Sequence, residues 1–236
     1  MDITLRCRPA ALIRTRTRSL STSNGRRLAE RILKMRAQCD NVWAVITLTG
    51  CVLEQRWGLP GRPLRKQTPW PILEIYRRMR YQTFLVPHTP AFIKLGARFP
   101  LPGLVHHRSL LVNSYPAVTE QQPRLAFSFY EYPGINRFEE IVEGVLRFAR
   151  DHKAATGFAP AGFTLYFVHR EGARARMTVG PYTGGQGWSF ELDPTCGQPT
   201  NPRWLEFCRA FMPWALAHGA RTSPTQDMLD GDPIWG

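Results

Sequence analysis

Apolar residues recur along the chain with two different periods, and the switch between them marks out the elements. ALIRTRTRSL alternates, with Ile13, Thr15 and Thr17 on one face and Arg14, Arg16 and Arg18 on the other, which predicts a strand. ITLRCRP before it also alternates and is interrupted by Pro9. In SNGRRLAERILKMRAQ the period lengthens. Leu28, Ile32 and Met35 fall on one helical stripe, with Ser23 or Asn24 placed to cap the first turn. NVWAVITLTG and CVLEQRWGLP then read as two strands turning at Thr49-Gly50. The order β-α-β-β returns between Arg124 and Asp193. RLAFSFYEYP is a strand, and FEEIVEGVLRFARDHKAATG repeats Phe138, Ile141, Val142, Val145, Leu146 and Ala149 at helical spacing. Asn136 and Glu139 have capping-box spacing, and Gly157 ends the helix. FTLYFVH is apolar at nearly every position, the pattern of a strand covered on both faces, and WSFELD alternates. Asn201 and Pro202 open a last helix packed by Leu205, Phe207, Cys208, Phe211 and Leu216, with Pro213 expected to kink it and Gly219 to stop it.

Residues 59–123 break this rhythm: they are basic and Pro-rich, and only ILEIYRRMRYQTFL, with Ile72, Ile75, Tyr76 and Met79, has helical spacing. The predicted fold is therefore α+β: a duplicated β-α-β-β, ferredoxin-like antiparallel sheet with helices on one face and an extra C-terminal helix. Residues 1–58 form the first half, 59–123 an irregular connection, and 124–236 the second half with its helix.

Charge divides the chain differently. Residues 1–100 hold 19 Lys and Arg against 5 Asp and Glu, whereas residues 101–236 hold 12 against 13. A basic half of this kind fits solvated arginine faces, an anionic cofactor, nucleic acid or peripheral contact with an anionic membrane. Three arginines on one strand face repel, so that face should be wet or meet an anion. Five cysteines, odd in number and without a C-x-x-C pair, read as free thiols in a reducing compartment. No run approaches the roughly 18–20 apolar residues needed to span a bilayer, and the N-terminus fits no secretory signal, so a cytoplasmic chain is expected. His106-His107 have no carboxylate or cysteine at ligand spacing, and no metal site is expected. No Gly-rich phosphate loop, nucleophile elbow or zinc-helix motif occurs.

Particular stretches do resemble a known family. FAPAGFTLYFVHRE, GPYTG, FELDP and NPRWLEFCRAFMPWALAHGARTSPTQ resemble the C-terminal half of FAD-linked oxidases of the vanillyl-alcohol-oxidase type. The resemblance is to the branch containing the sugar-1,4-lactone (D-arabinono-1,4-lactone) oxidases. There an Asp-Pro strand end is followed by a helix W-x-x-F-x-x-x-F-x-x-[FW]-A and a H-G-G-R-P segment. Here those positions read Trp204, Phe207, Phe211, Trp214 and Ala215, then His218-Gly219-Ala220-Arg221-Thr222. ITLRCRPAALIRTRTR, DNVWAVITLTGCVLEQRW and Glu131–Pro133 are similar to the domain junction, a cap-domain hairpin and a segment near the flavin.

The resemblance implies a cap, or substrate-binding, domain whose partner is an FAD-binding domain or chain absent from this sequence. The implied cofactor is FAD and the implied substrate a small alcohol or sugar lactone. It places Tyr166 and Glu131 as candidate catalytic residues and Thr164, His169, Arg221 and Gln226 as candidate substrate contacts, with Tyr182 able to reach over a ligand. The family's Glu-x-Arg pair is missing at Gly162–Tyr166, and Ala220 replaces the second Gly of H-G-G-R. Two other classes compete. A β-α-β-β sheet beside a basic segment suits RNA, although no RNP-like run is present and no DNA partner is expected. A non-catalytic remnant would also lack the Glu-x-Arg pair.

Overall fold

A computed structural model of the chain describes residues 12–59, 68–72, 89–98, 103–107, 126–127, 130–170, 187–196 and 201–222. The first unit runs β1 (Leu12–Ser21), α1 (Gly25–Arg36), β2 (Asn41–Thr47) and β3 (Gly50–Leu59). α2 (Thr89–Arg98) and β4 (Leu104–His107) follow, then β5 (Ala126–Phe127) and β6 (Glu131–Pro133). α3 (Phe138–Thr156), β7 (Gly162–Arg170), β8 (Gly187–Cys196) and α4 (Pro202–Ala217) complete the second unit.

All eight described strands join one antiparallel sheet in the order β4-β1-β3-β2-β7-β8-β5, with β6 also on β8. Each β-α-β-β unit contributes its outer, last and middle strand in that spatial order, and the two units meet back to back where β2 pairs with β7. The α+β duplication read from the periodicity is the architecture observed.

Parity explains the core. Val42, Ala44 and Ile46 on β2, Leu53 on β3, Phe163, Leu165 and Phe167 on β7, and Phe190 and Leu192 on β8 alternate with less buried neighbours and form one apolar face. Leu28, Ala29 and Ile32 of α1, the six-residue stripe of α3, and Trp204, Phe207 and Phe211 of α4 join the same cluster. α1 and α3 pack so closely at Gly25 that a Cβ there would lie 2.7 Å from the Glu143 Cα. Around α4 the rings interlock: Phe211 meets Tyr130 edge-on at 5.1 Å and stacks with Phe207 at 5.5 Å and Trp214 at 5.4 Å.

The helix ends follow their local chemistry, with one exception. Asn24 Oδ1 accepts from the Arg27 N–H at 2.8 Å, and Asn201 Oδ1 accepts from the Arg203 N–H at 3.0 Å with Pro202 beside it. Gly157 closes α3 at φ 75°. The cap of α3, however, is Arg137 rather than Asn136, and it makes no side-chain cap bond; its guanidinium instead grips Glu140 at 2.6 Å.

Several finer expectations are corrected. The β2–β3 turn is centred on Leu48-Thr49, because Thr47 pairs directly with Gly50. β7 is fully buried only on its helix side, since Thr164 and Tyr166 are half-buried. Leu216 of α4, expected to pack, is exposed. α2 and β4 were not anticipated. Their stretches are short, and α2 carries Pro90 in its first turn and Gly96 near its end. The expected strand before residue 12, the helix expected beyond Ile72, and the chain after Thr222 lie outside the described residues. Cys51, Cys196 and Cys208 are buried and Cys39 is half-buried, and none of these four is in a disulfide. Among the described residues no helix is long and apolar enough to cross a membrane.

Candidate functional site

The sheet parity opposite the core, which α2 covers only at β1 and β3, has a composition of its own. Residues directly opposite one another in a ladder share a face, and the registers link into one transverse rank. Thr17 lies opposite Glu54, Glu54 opposite Trp43, and Trp43 opposite Tyr166. Tyr166 in turn lies opposite Glu191 and Glu191 opposite Glu131. Arg221 ends the rank through an isolated bridge to Glu131, with the Glu131 N–H donating to the Arg221 carbonyl at 2.9 Å and the Arg221 N–H returning at 2.8 Å. Indole and phenol thus stand side by side at the seam of the two units, with carboxylates on either flank.

Individual groups in this rank are fixed by neighbours. Glu131 is buried, and Ser189 Oγ donates to its Oε1 at 2.5 Å. Glu54 is also buried, and its Oε1 lies 2.7 Å from Arg56 Nε, which compensates the cost of an interior carboxylate. In the next rank Thr164 lies opposite Asp193, and Thr164 Oγ1 is 3.0 Å from Thr195 Oγ1.

β6 pairs with Ser189–Glu191 and β5 with Thr195–Cys196 in one common register along β8, and Tyr130 sits immediately before β6. There the buried Asp193 Oδ1 accepts from the Tyr130 N–H at 2.8 Å, while the Leu192 N–H donates to the Tyr130 carbonyl at 3.0 Å. The segment entering Glu131 is therefore anchored from both sides.

Of the residues singled out in the sequence, Glu131, Tyr166 and Arg221 are brought into one rank and Thr164 into the rank beside it. His169 does not join them. It pairs with Trp188 at a position sharing the parity of Leu165 and Phe167. Gln226 and Tyr182 lie outside the described residues. Sequence reasoning missed Trp43, Glu191, Asp193 and Glu54. The alternation of WSFELD already put Glu191 and Asp193 on one face of their strand; the neighbour order that lines them up with Trp43 and Glu54 was not legible.

The helix side carries a different feature. The Arg36 guanidinium sits 3.7 Å from the Trp188 ring centroid and 5.2 Å from that of Phe167, and burial pulls its pKa below the ordinary value. Among the described residues no cluster of three or more metal-ligating side chains occurs.

No family model matches the chain, and no curated protein does. Solved structures do. A histidine-to-alanine mutant of cholesterol oxidase from Brevibacterium sterolicum superposes with a TM-score of 0.55 at 13% identity, over 92% of this chain and 49% of that one. A second B. sterolicum cholesterol oxidase structure gives 0.55 at 15% identity over 89% and 48%. A solvent-stable cholesterol oxidase gives 0.55 at 12% over 91% and 49%. At these identities the likeness is one of fold. The chain spans about half the length of the oxidases it resembles.

Proposed function

We propose that this chain is the substrate-binding cap of an FAD-dependent oxidoreductase acting on an alcohol or sugar lactone, with the FAD held by another domain or chain. The observation that carries the reading is the transverse rank: a sheet face built from Trp43 and Tyr166 at the seam, flanked by Glu54, Glu191 and Glu131. The family resemblance of the sequence and the fold shared with half of a cholesterol oxidase chain both support it.

The residues present fit one part of FAD. Two adjacent, half-buried aromatic side chains offer a flat surface to a tricyclic ring. The sequence holds neither a G-x-G-x-x-G nor a P-loop motif for the pyrophosphate. When bound, the flavin supplies the hydride acceptor. This chain's own contribution is placement. The Tyr166 hydroxyl and Thr164 Oγ1 hydrogen-bond a substrate hydroxyl. Glu131, held through Oε1 by Ser189, accepts a proton from it, and Arg221 supplies positive charge at the end of the rank. With Glu-x-Arg absent from β7, the lactone branch rests on the sequence resemblance alone, and a simpler alcohol serves the same geometry.

Co-expression with an FAD-binding domain of the sugar-1,4-lactone-oxidase type on a second polypeptide tests the reading. A yellow complex with flavin absorbance, depleted by replacing both Trp43 and Tyr166 with alanine, is expected. A colourless chain that leaves the partner behind would overturn it.

A further inference from the structure

The basic residues of the first unit gather on the opposite side of the sheet from the rank above, and exposed apolar residues lie next to them. Arg14 and Arg16 are exposed on β1, opposite Trp57 and Gln55 of β3. The end of α1 sits at the same level: Gln55 Nε2 donates to the Met35 carbonyl at 3.0 Å and Trp57 Nε1 to the Gln38 carbonyl at 2.7 Å. Lys34, one residue before Met35, and Arg31 one turn earlier are both exposed on this helix. Next to Arg14 on the other side is Val105 of β4, which exchanges hydrogen bonds with Thr68, the Thr68 N–H donating at 2.6 Å and Thr68 Oγ1 accepting at 2.9 Å. Two and four residues beyond Thr68 are Trp70, 62% exposed, and Ile72, 48% exposed. Among the described residues, the acids on this flank are Glu30 on α1 and Asp40, which accepts from the Gly58 N–H at 2.6 Å, so four cations face two carboxylates.

We propose that this flank is a docking surface for an anionic lipid bilayer, with Arg14, Arg16, Arg31 and Lys34 meeting the headgroups and Trp70 and Ile72 entering the interface. An indole and a branched aliphatic chain beside a cation cluster match the two demands of an interfacial anchor, apolar burial and charge attraction. With no membrane-crossing helix among the described residues, the chain lies on the surface. RNA is the weaker fit. A sheet that stacks bases carries its aromatics and its cations on one face, whereas Trp43 and Tyr166 have the opposite parity to Arg14 and Arg16. Trp57, on the arginine side, is pinned by its bond to Gln38.

The test is co-sedimentation of the full chain with phosphatidylcholine vesicles and with vesicles in which about a third of the lipid is phosphatidylserine, at moderate salt. Binding to the anionic vesicles alone is expected. It should weaken about fivefold for each arginine lost in Arg14→Gln and Arg16→Gln. Trp70→Ala should weaken it as well, and bilayers carrying brominated acyl chains should quench tryptophan emission in the wild type but less in Trp70→Ala. Both arginines are exposed, so circular dichroism of their variants is expected to be unchanged. Equal binding to neutral vesicles, binding to neither, indifference to the arginine and Trp70 substitutions, or preferential retention of single-stranded RNA would each overturn the proposal.

Discussion

Replacing Gly25 by alanine tests whether the two units share one helix layer. The added Cβ would lie 2.7 Å from the Glu143 Cα and 3.3 Å from its N and Cβ. Carbon atoms pack best at about 3.5–4.0 Å, so α1 must back away from α3 by roughly 1 Å. The obstacle is helix backbone and cannot rotate aside. A radial gap of that order forfeits at least a quarter of the dispersion well, and a buried leucine makes about 40–60 contacts of ~0.1–0.2 kcal/mol each. Leu28, wholly buried one turn along, would thus lose about 1–3 kcal/mol, the usual cost of overpacking. The helix-propensity gain of Gly→Ala, at most ~1 kcal/mol and less in a first turn, offsets part of it. A net loss of about 1–2 kcal/mol is expected from urea unfolding. Arg26→Ala is the control. It removes only the exposed 3.7 Å pair with Glu143 and should change stability by less than about 0.5 kcal/mol. If Gly25→Ala matched that control, or stabilised the protein, the close helix contact would be wrong, and with it the coupling of the two units through their helices.

Three further outcomes are expected. Phe211→Ala, which removes a wholly buried ring from the α4 cluster, should cost about 3–5 kcal/mol in chemical denaturation. Asp193→Ala should cost about 1–3 kcal/mol by breaking the bond from the buried Tyr130 N–H and should speed exchange of that amide; Asp193→Asn, which keeps an oxygen acceptor, should recover much of it. Burial pushes the Cys51 thiol up to about 12 from 9.0. The folded state therefore holds its proton where the unfolded chain loses it, so this contribution to stability is complete below pH 9 and is lost as pH rises from 9 towards 12. Cys51→Ala should flatten the fall of unfolding free energy over that window, and the native thiol should resist alkylating agents at neutral pH.

The elements that could be read from the sequence are those whose burial is set by their own period. Leu28 and Ile32 on α1 and the six-residue stripe of α3 are buried as their spacing required, because each helix faces a single apolar layer. Asn201-Pro202 began α4 for a reason local to those two residues. Failures came where a neighbour outside the segment decided. Asn136 was a sound cap on its own, but α3 starts one residue later and Arg137 turns to Glu140. The continuous apolar run of β7 looked two-sided, yet Thr164 and Tyr166 sit on the half-buried parity that meets Trp43, Glu191 and Asp193. The family resemblance singled out Tyr166 and Glu131, each on a strand. It could not tell that Glu191 lies between them, because strand order is a long-range property.

That order also explains why the candidate site lies at the seam and not inside either unit. A single β-α-β-β unit of this kind exposes the edge of its middle strand, β2 in the first and β7 in the second, and an exposed edge is a pairing hazard. Pairing the two middle strands removes both edges at once and sets the register that puts Trp43 beside Tyr166. The register has little freedom. A Cβ on Gly162 would come within 2.8 Å of the Ile46 carbonyl, and a slip by one residue would exchange Phe163 and Leu165 with Thr164 and Tyr166 between core and open face. The apolar layer beneath therefore holds the rank above it in place. The large core contacts of Phe163, Leu165, Ala44 and Ile46 fix the relative position of two aromatic side chains that do not themselves belong to the core. A chain with only one of the units would keep half of the rank, Thr17 to Trp43 or Tyr166 to Arg221, and lose the adjacent indole and phenol on which the proposed function depends.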